Sequence, residues 1–161
     1  MKPKIIWANH ASYFVEYKGK LIVTDPWLFG SVFNNGWELV SKSPDDVLEL
    51  FKKVDYIWIS HEHPDHFFPP TLKLIPEERR KDVTILFHET EDKRVLKYCE
   101  KIGYSIMELK QQWEEVVKDE IYLYNEPNGI EDSWVIMKFG ETVILNLNDC
   151  TISNSNIYQK I

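Results

Sequence analysis

Short β-rich runs separated by turn residues make up the start of the chain. Ile5-Ile6-Trp7, Ser12-Tyr13-Phe14-Val15-Glu16-Tyr17 and Leu21-Ile22-Val23-Thr24 are rich in β-branched and aromatic residues and predict a three-stranded meander. Lys18-Gly19-Lys20 supplies a hairpin turn between the second and third runs. Asp25-Pro26 ends the third, because proline has no amide hydrogen to give to a ladder. From Trp27 to Lys42 the pattern lapses, leaving a long connection that carries Phe29, Phe33, Trp37, Gly30 and Gly36. A lid or pocket wall and an aromatic-anchored surface loop are equally good readings of it.

Ser43-Pro44-Asp45-Asp46 predicts a helix start, with Ser43 as N-cap, Pro44 at the first helical position and acids in the first turn. Val47, Leu48, Leu50 and Phe51 form that helix's apolar face, and Val54 to Ser60 is the next, buried strand. Pro69-Pro70-Thr71 opens a short helix around Leu72 to Ile75, and a charged turn from Glu77 to Asp82 leads to the strand Val83 to Phe87. Glu91 to Ile102 predicts an amphipathic helix with Val95, Leu96, Cys99 and Ile102 on one face and Gly103 just past its end. Ser105 to Leu109 predicts a strand, while Lys110 to Lys118 fits a helix or a turn. Ile121 to Tyr124, Ser133 to Phe139 and Thr142 to Asn148 predict strands, with a turn between the last two at Lys138 to Thr142. This order describes an α+β, or α/β layered, protein whose sheet carries helices on one face.

Composition narrows the picture. With 161 residues, 43% hydrophobic and 14% aromatic, one domain over residues 1–161 with a sizeable core is expected, and there are no internal repeats or low-complexity stretches. A net charge of −7 argues against a nucleic-acid backbone as the main partner. No apolar run approaches the roughly 20 residues of a membrane span. The N-terminus enters a strand pattern at once, which leaves no room for a signal peptide. Cys99 and Cys150 make neither a CxxC pair nor a disulfide framework. A reducing, cytoplasmic setting is therefore expected.

The chemistry concentrates in His61-Glu62-His63-Pro64-Asp65-His66, directly after the buried strand. Imidazole and carboxylate are ligands for zinc and for manganese- or iron-like ions. In an extended segment His61 and His63 point the same way and Glu62 the other. Asp65 and His66 follow a proline, where the chain turns, so they approach from another direction and suit a second ion.

This strip, at the end of a strand and preceded by a meander ending in Asp25-Pro26, resembles the metallo-β-lactamase superfamily. Asn146-Leu147-Asn148-Asp149-Cys150 is similar to the later strand end that supplies the family's bridging aspartate. The opening Trp7-Ala8-Asn9-His10-Ala11-Ser12 resembles the branch containing the ascorbate-phosphate lactonase, the N-acyl-phosphatidylethanolamine phospholipase D and the CMP-sialic acid hydroxylase, and its pairing with Leu145-Asn146-Leu147-Asn148-Asp149-Cys150 leans towards the last. The resemblance implies an αββα sandwich of which this chain is the first half, a mixed β-sheet with helices on one face, with Thr151 to Ile161 starting the next helix. It also implies that His61 and His63 hold one ion and Asp65 and His66 a second, with Asp149 between them. The cofactor would be one or two divalent ions, zinc first, with manganese or iron as alternatives. Asp65 would also act catalytically as a proton shuttle. His10 would contact a substrate phosphate or carboxylate, a reading weighed equally with a structural one. Asp25 would back a ligand imidazole, again on equal terms with a plain turn residue before Pro26.

The chain departs from the family between the main motif and the aspartate. A histidine is usual there, whereas Tyr124 to Asp132 contains none, and Glu126, Asn128 or Glu131 are the substitutes considered. A final histidine from the second half and the cysteine and histidine pairs of the hydroxylase's Rieske centre have no counterpart. His88 and Cys150 read as structural, and the six tryptophans as mostly core. The leading expectation is a metal-dependent hydrolase acting through a metal-activated water on a small phosphorylated, lactone or amide-type substrate. The alternatives are a mononuclear iron site for oxygen chemistry, or an incomplete half-domain that binds metal and needs a partner. A homodimer covering the exposed sheet face is the partner expectation.

Overall fold

A computed structural model describes residues 1–129 and 132–151. Six strands form the first sheet: β1 (Lys4–Asn9), β2 (Ser12–Tyr17), β3 (Lys20–Thr24), β6 (Tyr56–Ile59), β7 (Thr84–His88) and β8 (Ser105–Leu109), in the order β1-β2-β3-β6-β7-β8. The first three pair antiparallel, as a meander must, and β3, β6, β7 and β8 pair parallel. At the β2–β3 hairpin Lys18 and Gly19 have φ of +48° and +77°, the left-handed pair of a tight turn that follows the strand twist.

The long connection after β3 is not structureless. It holds a two-stranded ribbon, β4 (Ser31–Val32) with β5 (Trp37–Glu38), closed by left-handed residues Phe33, Asn34 and Asn35. Helix α1 spans Asp45–Phe51 with Pro44 outside it and no side-chain cap. Ser43 is buried and its hydroxyl instead accepts from Asn9 Nδ2 at 3.0 Å, so a tertiary hydrogen bond displaces the expected cap. The next helices are α2 (Pro69–Leu72), α3 (Glu77–Arg80) and α4 (Arg94–Lys101). The last starts three residues later than the periodicity suggests, because the Asp92 carboxylate accepts from the Arg94 amide at 2.8 Å and holds the preceding residues in a turn.

A second sheet runs β12-β11-β10-β9, with β9 (Trp113–Val117), β10 (Ile121–Asn128), β11 (Asp132–Phe139) and β12 (Thr142–Asn146). The ambiguous stretch before Lys118 is thus an edge strand, antiparallel to β10. Period-two alternation along the central strands fills two interlayers. Ile57, Ile59, Ile85 and Phe87 pack against Phe51, Leu72, Val95 and Cys99 on the helix side. Trp58 and Leu86 point the other way, into Leu123, Val135 and Met137 of the second sheet. This makes an α+β fold with a mixed sheet carrying helices on one face and a second sheet on the other. Two hydrogen bonds tie the sheets together near the C-terminal end of β6: Trp58 Nε1 donates to Asn125 Oδ1 at 2.9 Å, and Ser133 Oγ donates to the Ser60 carbonyl at 2.8 Å. The expected helix from Thr151 onward lies outside the described residues apart from Thr151 itself.

Candidate metal centre

The strip His61 to His66 leaves β6 at its C-terminal end, the edge of a parallel sheet where ligands gather. His61 continues the strand direction and is fully buried. Glu62 turns away to meet the Arg94 guanidinium at 2.9 Å. The amides of His66 and Phe67 both donate to the His63 carbonyl, at 3.0 and 2.8 Å, forming the turn that folds Asp65 and His66 back towards the sheet.

Among the described residues three overlapping groups of donors result, each with its ligand atoms within 4.8 Å of one another. In the first, His61 Nε2 lies 2.8 Å from His63 Nδ1 and 3.8 Å from Asp132 Oδ1. In the second, Asp65 Oδ2 lies 3.3 Å from His66 Nε2 and 3.1 Å from His10 Nε2. In the third, Asp149 Oδ2 stands 3.5 Å from His66 Nε2, with His61 completing the group. The His61 and His66 rings are only 4.2 Å apart between centroids, so all three groups share one patch.

Buried hydrogen bonds decide which nitrogen of each ring faces that patch. Asp25 is fully buried, and its Oδ1 accepts from the Ser60 amide at 2.7 Å and from the Ser60 hydroxyl at 3.0 Å. Having given its one proton to a carboxylate, Ser60 Oγ can only accept from His61 Nδ1, 2.9 Å away. His61 therefore carries its proton on Nδ1 and its lone pair on Nε2, facing His63 and Asp132. Asn148 also approaches this Nδ1, at 3.2 Å, and the amide orientation that satisfies both groups presents Oδ1 to the Nδ1–H. The other Asp25 oxygen stands 3.3 Å from His66 Nδ1, which places that proton likewise and leaves His66 Nε2 inward. Asp25 thus backs both imidazoles, one directly and one through Ser60. It does so from a left-handed backbone position, φ +38°.

A cation fits this donor set. His66 Nε2 is buried, has no hydrogen-bond partner among the described residues, and looks at the carboxylates of Asp65 and Asp149. A lone pair and two carboxylate oxygens at such range repel unless a proton or a metal ion lies among them. Burial, reinforced by His66, pushes the His61 pKa down, which suits a neutral ligand. Burial would depress His66 too, but Asp25, then Asp65 and Asp149, outweigh it and raise its pKa. The donors are those of a His/Asp metal site.

His10 occupies the turn between β1 and β2 with φ +45°, a left-handed position that histidine tolerates better than most residues. Its amide donates to Asn9 Oδ1 at 3.0 Å, and Asn9 Nδ2 in turn holds the Ser41 carbonyl at 2.8 Å. Trp27 meets the ring edge-on at 5.1 Å between centroids. These contacts aim His10 at Asp65 and so within reach of the ligand group. Asp132, at the start of β11, is the residue that sequence reasoning missed. The segment searched for a substitute ligand ended on it, but only the pairing Asn128↔Asp132 turns it towards His61. Glu126 is otherwise engaged, accepting from Tyr124 Oη at 2.6 Å and from Gln111 Nε2 at 2.8 Å. Asn128 sits in the ladder opposite Asp132, and Glu131 lies outside the described residues. His88, isolated in the sequence, is buried between the sheets, close to the Ser60 backbone and His61, and its pKa is pushed down to about 4, mainly by burial.

A family model described as "Beta-lactamase superfamily domain" matches residues 4–144. Among curated proteins, the cytidine monophosphate-N-acetylneuraminic acid hydroxylase of Xenopus laevis is 33% identical over 157 residues, covering 94% of this chain and 26% of that protein. The Sus scrofa hydroxylase is 34% identical over 152 residues, covering 91% of this chain and 34% of the other. The chain thus spans about a quarter to a third of the length of these relatives. Among solved structures, CmlA, a diiron beta-hydroxylase from Streptomyces venezuelae, superposes with a TM-score of 0.67 at 18% identity, over 99% of this chain and 32% of that one. A possible metal-dependent hydrolase from Veillonella parvula gives 0.68 at 17% identity, over 99% and 66%. The metallo-beta-lactamase fold protein YhfI from Bacillus subtilis gives 0.60 at 12%, over 94% and 59%. At these identities the structures speak for the fold alone.

Proposed function

The chain belongs to the beta-lactamase superfamily, and on that premise we propose that it is a metal-dependent hydrolase acting on a small-molecule substrate. The observation that carries this reading is the convergence of His10, His61, His63, Asp65, His66, Asp132 and Asp149 at one sheet edge, with the lone pairs of His61 and His66 turned inward. His61, His63 and Asp132 are the proposed ligands of one divalent ion, and Asp65 and His66 those of a second, with Asp149 between. Zinc is the first choice of metal. Such ions, when bound, lower the pKa of a water towards neutrality and polarise the bond to be broken.

The remaining steps fall to the protein's own groups. Asp25 and Ser60 hold the protons of His66 and His61 on Nδ1, so that both rings present Nε2. Asp65, bonded to His10 Nε2 at 3.1 Å, is the group proposed to hold the proton that a leaving group requires. His10 steadies that carboxylate and, being about one-third exposed, is also open to a polar group of the substrate.

A second reading has one observation of its own. His61, His63 and Asp132 form a two-histidine, one-carboxylate set, the donor pattern of non-haem iron sites for oxygen chemistry. The sequence similarity to the Xenopus laevis hydroxylase favours the same alternative. Elemental analysis of protein purified without chelator, with absorbance and spin-resonance spectra, separates the two. Zinc in the parent and its loss in His61→Ala support the hydrolase, whereas iron with a visible or paramagnetic signal supports the second reading. Equal metal content in parent and variant would falsify the ligand assignment.

A further inference from the structure

Beside the ligand patch a cleft of about 450 Å³ opens where β7 ends, reaching Pro127 of β10. Among the described residues four carboxylates line it, Glu62, Glu89, Glu91 and Asp92, against one guanidinium, Arg94. Arg94 is already engaged, 2.9 Å from Glu62 and 2.5 Å from Asp92. Glu89 and Glu91 have no cationic partner among the described residues. Acidic side chains on a surface are usually just solvated. The lining contains one group that solvation does not explain.

His88 lines the same cleft, yet it is 2% exposed, and its Nδ1 is buried without a hydrogen-bond partner among the described residues. The strand alternation that sends Phe87 to the helix side sends His88 between the sheets, opposite the end of β6. The ring interacts with the Ser60 backbone, and burial keeps it neutral. A neutral imidazole that donates from one nitrogen offers a lone pair at the other. An unpartnered acceptor of this kind, on a residue lining a cleft with surplus negative charge, calls for a donor that carries positive charge.

We propose that this cleft binds an organic ammonium group, with His88 Nδ1 accepting one of its N–H bonds and Glu89 and Glu91 balancing its charge. The inference deepens the proposed function: the substrate's reacting end would meet the ligand patch while its amine end lies in the cleft. A phosphorylated substrate, one of the three classes considered beside lactone and amide types, is what this lining repels.

Putrescine is the probe and inorganic phosphate the counter-probe, each titrated into the purified protein while the histidine ring nitrogens are followed by NMR. Putrescine is expected to move the His88 resonance saturably, and phosphate to leave it in place. The exposed double substitution Glu89→Gln with Glu91→Gln should weaken putrescine roughly three- to tenfold. His88→Phe, which keeps the ring and removes the acceptor, should weaken it as well while leaving the thermal melt near the parent's. An unmoved His88 resonance with putrescine, binding that ignores the two glutamates, or a His88 shift driven by phosphate overturns the proposal. A His61→Ala arm separates the two readings. Putrescine binding that survives loss of metal leaves the cleft assignment standing by itself, while a parent without metal counts only against the hydrolase reading.

Discussion

Replacing Asp25 by Asn changes one atom in a fully buried carboxylate, and the hydrogen bonds around it fix the consequence. Asn Oδ1 can keep both Ser60 bonds, at 2.7 and 3.0 Å in the parent. The new amide NH₂ then faces His66 Nδ1, where a carboxylate oxygen stood at 3.3 Å. Two donors cannot share that contact, so His66 must move its proton to Nε2, the atom aimed at Asp65 and Asp149. A protonated Nε2 cannot ligate. Losing such a backing carboxylate costs metal affinity tenfold to a hundredfold, about 1.4–2.7 kcal/mol. The metal-free fold should suffer less, because weaker Ser60 bonds are offset by removing a buried charge, leaving a net loss of about 1 kcal/mol. Competition with a chromophoric chelator reads the first quantity, and urea unfolding in chelator the second. Metal affinity within twofold of the parent, with the fold intact, would refute the tautomer argument.

The same geometry sets three other outcomes. Asp132→Asn should lower metal affinity about tenfold, measured by chelator competition, with little change in the metal-free melt because the side chain is one-third exposed; unchanged affinity removes Asp132 from the ligand set. Trp58→Ala should cost roughly 3–5 kcal/mol in urea unfolding, since the ring is fully buried between the sheets and its Nε1 proton satisfies Asn125; a loss below about 1 kcal/mol contradicts the interlayer packing. His88, with a native pKa near 4 against 6.5, leaves stability intact above about pH 6.5. It withdraws roughly 3 kcal/mol as pH falls towards 4, because the unfolded chain takes up the proton first. His66 is shifted the other way, so the test is the difference between parent and His88→Gln in chelator-treated urea unfolding; parallel stability curves from pH 7 to 4 would sink the assignment.

Most of the secondary structure was legible because it is written in local patterns. β-Branched and aromatic runs bounded by turn residues mark β2 and β3, the apolar run around Trp58 marks a strand buried on both faces, and Gly103 closes α4. Errors fell where a distant partner overrode a local signal. Ser43 looked like a cap, but Asn9 takes its hydroxyl. Lys110 to Lys118 has no decisive period, and pairing with β10 makes part of it a strand.

The site divides in the same way. His61, His63, Asp65 and His66 could be read from the sequence because they sit in six consecutive residues and their chemistry is evident from residue type. The contributions of Asp132 and His88 could not, and for Asp25 the sequence left the backing of an imidazole level with a plain turn role. Asp132 reaches His61 only because the second sheet packs across β6, bringing Ser133 onto the Ser60 carbonyl. The proton positions on His61 and His66 depend on a buried carboxylate 36 and 41 residues before them, which reaches the first through Ser60 and the second directly. Spacing along a chain shows which donors lie close by covalent necessity. Which lone pairs face inward, and which distant carboxylate completes the set, is decided by sheet pairing and burial, and these exist only in the folded molecule.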